Sequence, residues 1–329
     1  MERRLSTSQS RRHLVLMIEA RQPRAGTEAG ERRGRRKVSG SPWRVLAGTA
    51  CALLGTTSAA LAQETSAACV APGSSLRLDH VPVAAGDLEA LSKRLTDEFG
   101  FRVEDGVRDE NGLETAEIRF GDGTRLQLRT VDDSGAADAP GSGEAQRYAD
   151  LIEDGGGGAY LAFSGPGLDE VLAVARDLEP EFAVTGAGTR RRAAFARDHP
   201  LHAVFFVGSD AEPAGAPAAA EHPNGAQGLE AVWVMVEDPE RLTRLLLAFG
   251  ARDCGVSRHP EHLYGRAVGI RGGTVYVVDA LLWLADPGSA PVVSLTVRGN
   301  PESVADNIVL GNAGGLWIEL RPSGETSNE

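Results

Sequence analysis

The chain has 329 residues, 42% of them hydrophobic and 24% charged, with a formal net charge of −12; that balance supports a sizeable packed core and excludes a disordered polymer or a disulfide-rich miniprotein. Of its 34 Lys and Arg, 12 fall in residues 1–44, against 4 of its 46 Asp and Glu, which leaves 22 against 42 and a formal −20 on the remainder. So acidic a surface repels nucleic acid and anionic membranes, and neither is expected as a partner.

Residues 1–63 read as a basic N-terminus leading into a secretory signal peptide. An arginine-rich stretch gives way to an apolar, small-residue run over residues 45–62 that ends on Ala60-Leu61-Ala62, a cleavage-type triplet. Gly, Thr and Ser dilute the run too far for a transmembrane helix. The expectation is an exported protein, periplasmic or secreted, with no membrane anchor once the signal is removed. Cys51 would leave with the signal, and with Gly48 ahead of it the segment lacks the large aliphatic of a lipoprotein signal. Cys69 and Cys254 remain; an oxidising compartment would allow them to pair, and the sequence leaves that open.

The ordered part reads as successive related units. The stretch LDHVPVAAGDLEAL, residues 78–91, has an echo 151 residues later in LEAVWVMVEDPERL, residues 229–242. Each is a short β-like run, an Asp and a helix-like run, and each closes on Phe-Gly, at Phe99-Gly100 and Phe249-Gly250. The first predicted helix puts Leu88, Leu91, Leu95 and Phe99 on one face. The later one has Asp238 as N-cap and Pro239 at its first position, with Leu242, Leu245, Leu246 and Phe249 on its apolar face. Gly100 and Gly250 suit the left-handed position that ends a helix. The predicted boundaries are a βαβββ unit at 76–131, a linker with a short helix at 132–158, a second unit at 159–208, a linker at 209–227, a third unit at 228–284 and a truncated fourth at 290–322. Units that bury one sheet face each need a neighbour, so packing in pairs is expected.

Histidine pairs at His199/His202 and His259/His262 each have a proline beside the first His and fall where hairpin connections are expected; they read as turn residues, as does His222 in a linker. The glycine run Gly155 to Gly158 has no phosphate-loop form.

The segments LDHVPV, GDLEAL, EFGFRV and IRFGDGTRLQL resemble the glyoxalase-like branch of the vicinal oxygen chelate superfamily, and EHPNGAQGLEAVWVMVEDPERL is similar to the start of that branch's later modules. The resemblance covers nearly all of residues 76–322. It implies an α+β fold of repeated βαβββ modules paired into cup-shaped mixed sheets with helices outside, and metal ligands that project inward from the first and last strands of a module.

Strand alternation then selects the candidates. Val81 and Val83 suit the core, which turns His80 into the cup; Leu126 and Leu128 do the same for Arg125, Gln127 and Arg129. In the fourth unit Ile318 and Leu320 face the core while Trp317, Glu319 and Arg321 share the other side. The equivalents elsewhere are not ligands: Ala231 and Leu161 stand for His80, and Tyr276 and Phe206 stand for Gln127. The resemblance therefore implies a divalent ion, Mn, Fe, Ni or Zn, on His80, Gln127 and Glu319, with Glu319 also available as a base, on condition that the first unit packs beside the fourth. Arg125, Arg129, Trp233, Tyr276, Trp317 and Arg321 would meet a small oxygen-rich substrate. Two readings follow: an exported metal-dependent lyase, isomerase or dioxygenase-type enzyme, or a small-molecule binder of the same fold with no metal and no turnover. A monomer and a homodimer fit equally.

Overall fold

The structure, a computed structural model, describes residues 69–106, 108, 112–131, 143–179, 182–185, 191–208, 221–258, 264–281, 290–304 and 308–322; the expected signal peptide, His259 and His262 lie outside them. The first unit runs β1 (Arg77–Ala84), α1 (Leu88–Asp97), β2 (Glu104–Asp105), β3 (Leu113–Arg119) and β4 (Arg125–Val131). Then come α2 (Gly143–Glu153) and a two-residue strand, β5 (Gly157–Gly158). The second unit has β6 (Leu161–Ser164), α3 (Leu168–Leu178), β7 (Ala183–Thr185), β8 (Arg192–Ala194) and β9 (Val204–Val207). The third has β10 (Ala226–Val236), α4 (Pro239–Ala248), β11 (Arg252–Arg258), β12 (Tyr264–Ile270) and β13 (Gly273–Asp279). The fourth keeps β14 (Val292–Gly299), β15 (Ile308–Ala313) and β16 (Leu316–Pro322), and where the others carry a helix its described residues 301–304 form a turn.

In every unit the first strand lies parallel to the last. Consecutive units join through their first strands, β1 antiparallel to β6 and β10 antiparallel to β14. This makes two mixed half-sheets, in the orders β2-β3-β4-β1-β6-β9-β8-β7 and β11-β12-β13-β10-β14-β16-β15. The halves meet at β5, which pairs with both β1 and β14. A Cβ on Gly158 would fall 2.5 Å from Val292 Cβ, so the glycine run serves a close backbone approach at this seam.

The helices form where the sequence predicts them. The Asp87 side chain accepts a hydrogen bond from the Ala90 N–H at 2.8 Å, and Asp238 accepts one from the Arg241 N–H at 2.9 Å. Gly100 and Gly250 end α1 and α4 with φ of 71° and 78°. Leu91, Leu95 and Phe99, and Leu242, Leu245, Leu246 and Phe249, are all buried.

One apolar core spans both halves. Val83, Leu91, Leu95, Leu126 and Leu128 of the first unit surround a small apolar gap with Ala313, Leu316 and Ile318 of the fourth. Leu91 lies against Gly314 and Phe99 against Gly311, so α1 covers the core face of the helix-less fourth unit as well as its own. Phe206 of the second unit packs on Phe249 of the third with centroids 5.5 Å apart. The helix-bearing faces of the two half-sheets are therefore turned toward each other, and the opposite, concave faces are turned apart.

An ion pair crosses the same interface. Glu179, at the end of α3, is buried and receives both Arg241 Nε contacts at 2.7 Å, with Arg241 Nη2 also in contact. His199 approaches Glu179 to 3.4 Å and stacks on Phe195 with centroids 4.4 Å apart. It also accepts the Leu201 N–H, while His202 donates to the His199 carbonyl, so this histidine pair holds a turn. A disulfide joins Cys69, ahead of β1, to Cys254 in β11.

Removing one partner strands the other charge, so Arg241→Ala should cost about 2–4 kcal/mol, somewhat below a wholly buried pair because the Arg241 side chain is 27% exposed. Urea unfolding at neutral pH measures it, with Glu179→Gln/Arg241→Met expected to lose less than either single truncation. Cys254→Ser opens a loop of 185 residues and should lower stability by about 2–5 kcal/mol, read as a drop in Tm that dithiothreitol reproduces in the wild type.

Candidate functional site

The first strand does not alternate regularly. Leu76 and Leu78 face the core, then Val81 and Val83, and the pairing of β1 with β6 slips between Leu78 and His80. This bulge turns Asp79 and His80 to the same, concave side. His80 Nδ1 lies 2.6 Å from Asp79 Oδ1, and Arg125 Nη2 donates to the same oxygen at 3.2 Å. Burial lowers the His80 pKa, only partly offset by Asp79, so the ring is neutral at pH 7. Burial pushes the Asp79 carboxyl the other way, but its bond to His80 and then the Arg125 charge hold it below the usual carboxylate value. The arrangement fixes the Nδ1–H tautomer, with Nε2 as the proton acceptor.

A second chain of contacts runs beside this pair. Gln127 donates to Glu117 at 2.9 Å and accepts from Arg129 Nη2 at 3.0 Å. Arg129 Nη1 donates to Glu144 Oε1 at 2.8 Å, and Arg192 from β8 grips both Glu144 oxygens at 3.0 and 2.9 Å. Glu144 belongs to α2, whose Glu144, Arg147 and Tyr148 share one face at i, i+3 and i+4. That face lies in the concavity. The Arg147 guanidinium sits 4.4 Å from the Tyr160 ring centroid, Arg129 lies 5.6 Å from Tyr148, and Arg192 lies 5.4 Å from Phe205. His80, Phe205, Tyr160 and Tyr148 form a row of rings with successive centroids 5.4, 5.8 and 6.1 Å apart. Burial would raise the Glu144 carboxyl, but Arg192 and then Arg129 outweigh it and hold it below its ordinary value. Burial pushes the Tyr148 hydroxyl well above its usual range.

The concave face of the second half is different. Trp233 stacks on Tyr276 at 4.2 Å with planes 14° apart. Glu319 accepts from Arg321 at 2.8 Å. Trp317 is set beside Ser294 on the same sheet. Glu230 occupies a second bulge, the counterpart of Asp79, and burial raises its carboxyl against the lowering by Arg321 and Arg298.

The expected metal triad is not assembled. His80 and Gln127 share the concavity of the first half, whereas Glu319 lies in that of the second. The first unit does pack on the fourth, but through their core faces, Val83 and Leu128 against Leu316 and Ile318, which sends His80 and Glu319 in opposite directions. Two of the three are also engaged, the Gln127 amide at both ends and Glu319 with Arg321, while His80 uses only Nδ1 on Asp79 and keeps Nε2 as its donor atom. Among the described residues no three His, Cys, Asp or Glu side chains converge as a metal site. These residues do not fit the ion, and Glu319 is not placed to act as a base beside His80. The six expected substrate contacts divide in the same way, Arg125 and Arg129 in one concavity and Trp233, Tyr276, Trp317 and Arg321 in the other. In β9 the ring facing the concavity is Phe205, and Phe206, the expected counterpart of Gln127, is in the core. His222 bridges the Arg102 N–H and the Arg119 carbonyl between Phe101 and Phe120, a structural role.

A family model described as a glyoxalase-like domain matches residues 78–250, more than half of the chain. The protein belongs to the glyoxalase-like family. With it comes membership of the vicinal oxygen chelate superfamily, whose α+β fold of paired βαβββ units is the one seen here. No curated protein matches the chain. A crystal structure of a hypothetical protein from Staphylococcus aureus is similar in fold, with a TM-score of 0.51 at 10% identity over 75% of this chain and 99% of that one. Catechol 2,3-dioxygenase gives 0.48 at 14% identity, covering 75% and 87% of the two chains. The 2,3-dioxygenase LapB from Pseudomonas sp. KL28 gives 0.49 at 12% identity, covering 78% and 94%.

Because the folded pKa of Glu144 lies below its ordinary 4.5, the ionised group contributes stability above that value that is lost as pH falls through the folded pKa. Glu144→Gln should therefore be less stable than the wild type at pH 7, and urea midpoints of the two should converge as pH falls through the folded pKa of Glu144.

Proposed function

We propose that this glyoxalase-like protein is an exported binder of a small organic anion, held without a metal in the concavity of its first half. One observation carries this reading: four arginines, Arg125, Arg129, Arg147 and Arg192, line a wall of rings on a concave face of an acidic protein, where among the described residues no ligand set for a divalent ion converges. Guanidinium forks match carboxylates and other planar oxyanions, and flat rings supply apolar contact at little entropic cost. Export is supported by the charge break after residue 44, the small-residue run before residue 63 and the Cys69–Cys254 disulfide.

The enzyme reading keeps one specific observation in its favour, the Asp79–His80 pair. A neutral imidazole oriented by a carboxylate can take a proton at Nε2, and Arg125 and Arg129 beside it would stabilise the oxyanion that proton removal leaves.

Thermal-shift and calorimetric screening of small carboxylates on the purified protein, with and without EDTA, tests the proposal. The expected result is EDTA-insensitive binding that raises Tm by several degrees and is weakened at least tenfold in Arg129→Gln. Near-stoichiometric Mn, Fe, Ni or Zn by elemental mass spectrometry, lost in His80→Ala, would overturn the metal-free reading. Ligand turnover abolished in His80→Gln would establish the enzyme.

A further inference from the structure

We infer that the ligand is an aromatic carboxylate, and that its carboxylate takes the Arg192–Arg129 fork that Glu144 fills in the free protein. The inference rests on the binding reading above and names the ligand class for that site. Three features of the concavity lead to it.

The first is the way Glu144 is held. Two parallel bonds from Arg192, one to each carboxylate oxygen, and a third from Arg129 form the fork-on-carboxylate geometry with which a protein recognises a carboxylate ligand. Both arginines come from the sheet, on β4 and β8, and Arg129 is set in place from behind by Gln127, itself held by Glu117. Glu144 comes from α2, which belongs to none of the four units. The anion site is thus built by the sheet, and an inserted segment supplies its occupant.

The second is the Tyr148 hydroxyl. The residue is fully buried, and its oxygen has no hydrogen-bond partner among the described residues. The Arg129 guanidinium lies 5.6 Å from the centroid of its ring, which sets Tyr148 beside the fork. A buried hydroxyl left unbonded costs about 1–3 kcal/mol, which a ligand oxygen at the fork would recover.

The third is the row of rings that flanks the fork, Tyr148, Tyr160, Phe205 and His80, spaced 5.4 to 6.1 Å apart, with Arg129 beside Tyr148 and Arg192 over Phe205. Spacings of that size are those of edge-to-face and tilted ring packing, and a ring attached to the bound carboxylate continues the series. An aliphatic acid would satisfy the fork and gain nothing from the rings beside it.

Calorimetry with benzoate, its neutral isostere benzamide and acetate, on the wild type, Glu144→Gln and Glu144→Gln/Arg192→Gln, tests this. Glu144→Gln should bind benzoate at least about tenfold more tightly than the wild type, with benzamide and acetate much weaker, and the added Arg192→Gln should erase the gain. Glu144→Ala provides a second readout if Glu144→Gln is poorly stable: benzoate, and not benzamide, should restore its Tm. Equal benzoate affinity in the wild type and Glu144→Gln would overturn the internal-occupant idea while leaving anion binding intact. Acetate performing as well as benzoate would overturn the aromatic class. If neither protein binds any carboxylate, both this inference and the binding reading fail.

Discussion

Among its described residues the fourth unit has no helix, and that sets the arrangement of everything else. A βαβββ unit hides one sheet face under its own helix; without one, Leu316, Ile318 and Leu320 of β16 would face water. Side chains of that kind contribute about 1.5–3 kcal/mol each when buried, too much to leave exposed. In this protein α1 does double duty, covering Val83 and Leu128 on one side and Leu316 and Ile318 on the other. The convex faces of both halves are thereby pressed together, with the Glu179–Arg241 pair and the glycine seam at β5 fixing how they meet. The concave faces must then point apart. That one consequence separates Glu319 from His80 and Gln127.

Each concavity is specialised by a local device. In the first half a bulge in β1 brings Asp79 alongside His80, and α2 lays Glu144, Arg147 and Tyr148 into the hollow. In the second, the matching bulge in β10 presents Glu230, and cross-strand neighbours Trp233 and Tyr276 stack into a flat floor. One fold therefore carries two chemically different surfaces, cationic with tilted rings in one and mainly indole and phenol in the other. The cationic one is the more unusual for a chain whose ordered part is so acidic. Its arginines are not spread for solubility; Arg125 is drawn inward onto Asp79, and Arg129 and Arg192 onto Glu144, where low dielectric strengthens every pair and makes an exchange of one anion for another a selective event.

Much of this was legible in advance. Periodicity and capping located α1 and α4, because Asp87, Asp238, Pro239, Gly100 and Gly250 act within a few residues of themselves. Alternation correctly aimed His80, Arg125, Gln127 and Arg129, since a strand's two faces are fixed by its own pleat. Regular alternation does not anticipate the bulge that recruits Asp79, although the step from Leu76 and Leu78 to Val81 and Val83 carries its trace. A short helix is expected within residues 132–158, without the shared face of Glu144, Arg147 and Tyr148 being singled out. Phe206, and not Phe205, is the expected counterpart of Gln127 because two adjacent phenylalanines in a four-residue strand carry no signal for which of them faces the core.

The sequence by itself determined the succession of elements, the helix ends and the face of those strand residues that alternate regularly, because those properties depend on local sterics and short-range periodicity. It did not determine which concavity a residue would enter, what α2 would rest against, or whether Cys69 and Cys254 would meet. Those were decided by tertiary packing, which pairs units one with two and three with four and closes both pairs over one core. Contacts such as Arg192 to Glu144, 48 residues apart, and Arg241 to Glu179, 62 apart, leave no periodic trace in the chain, since each exists only after sheets that are remote in sequence have been brought together.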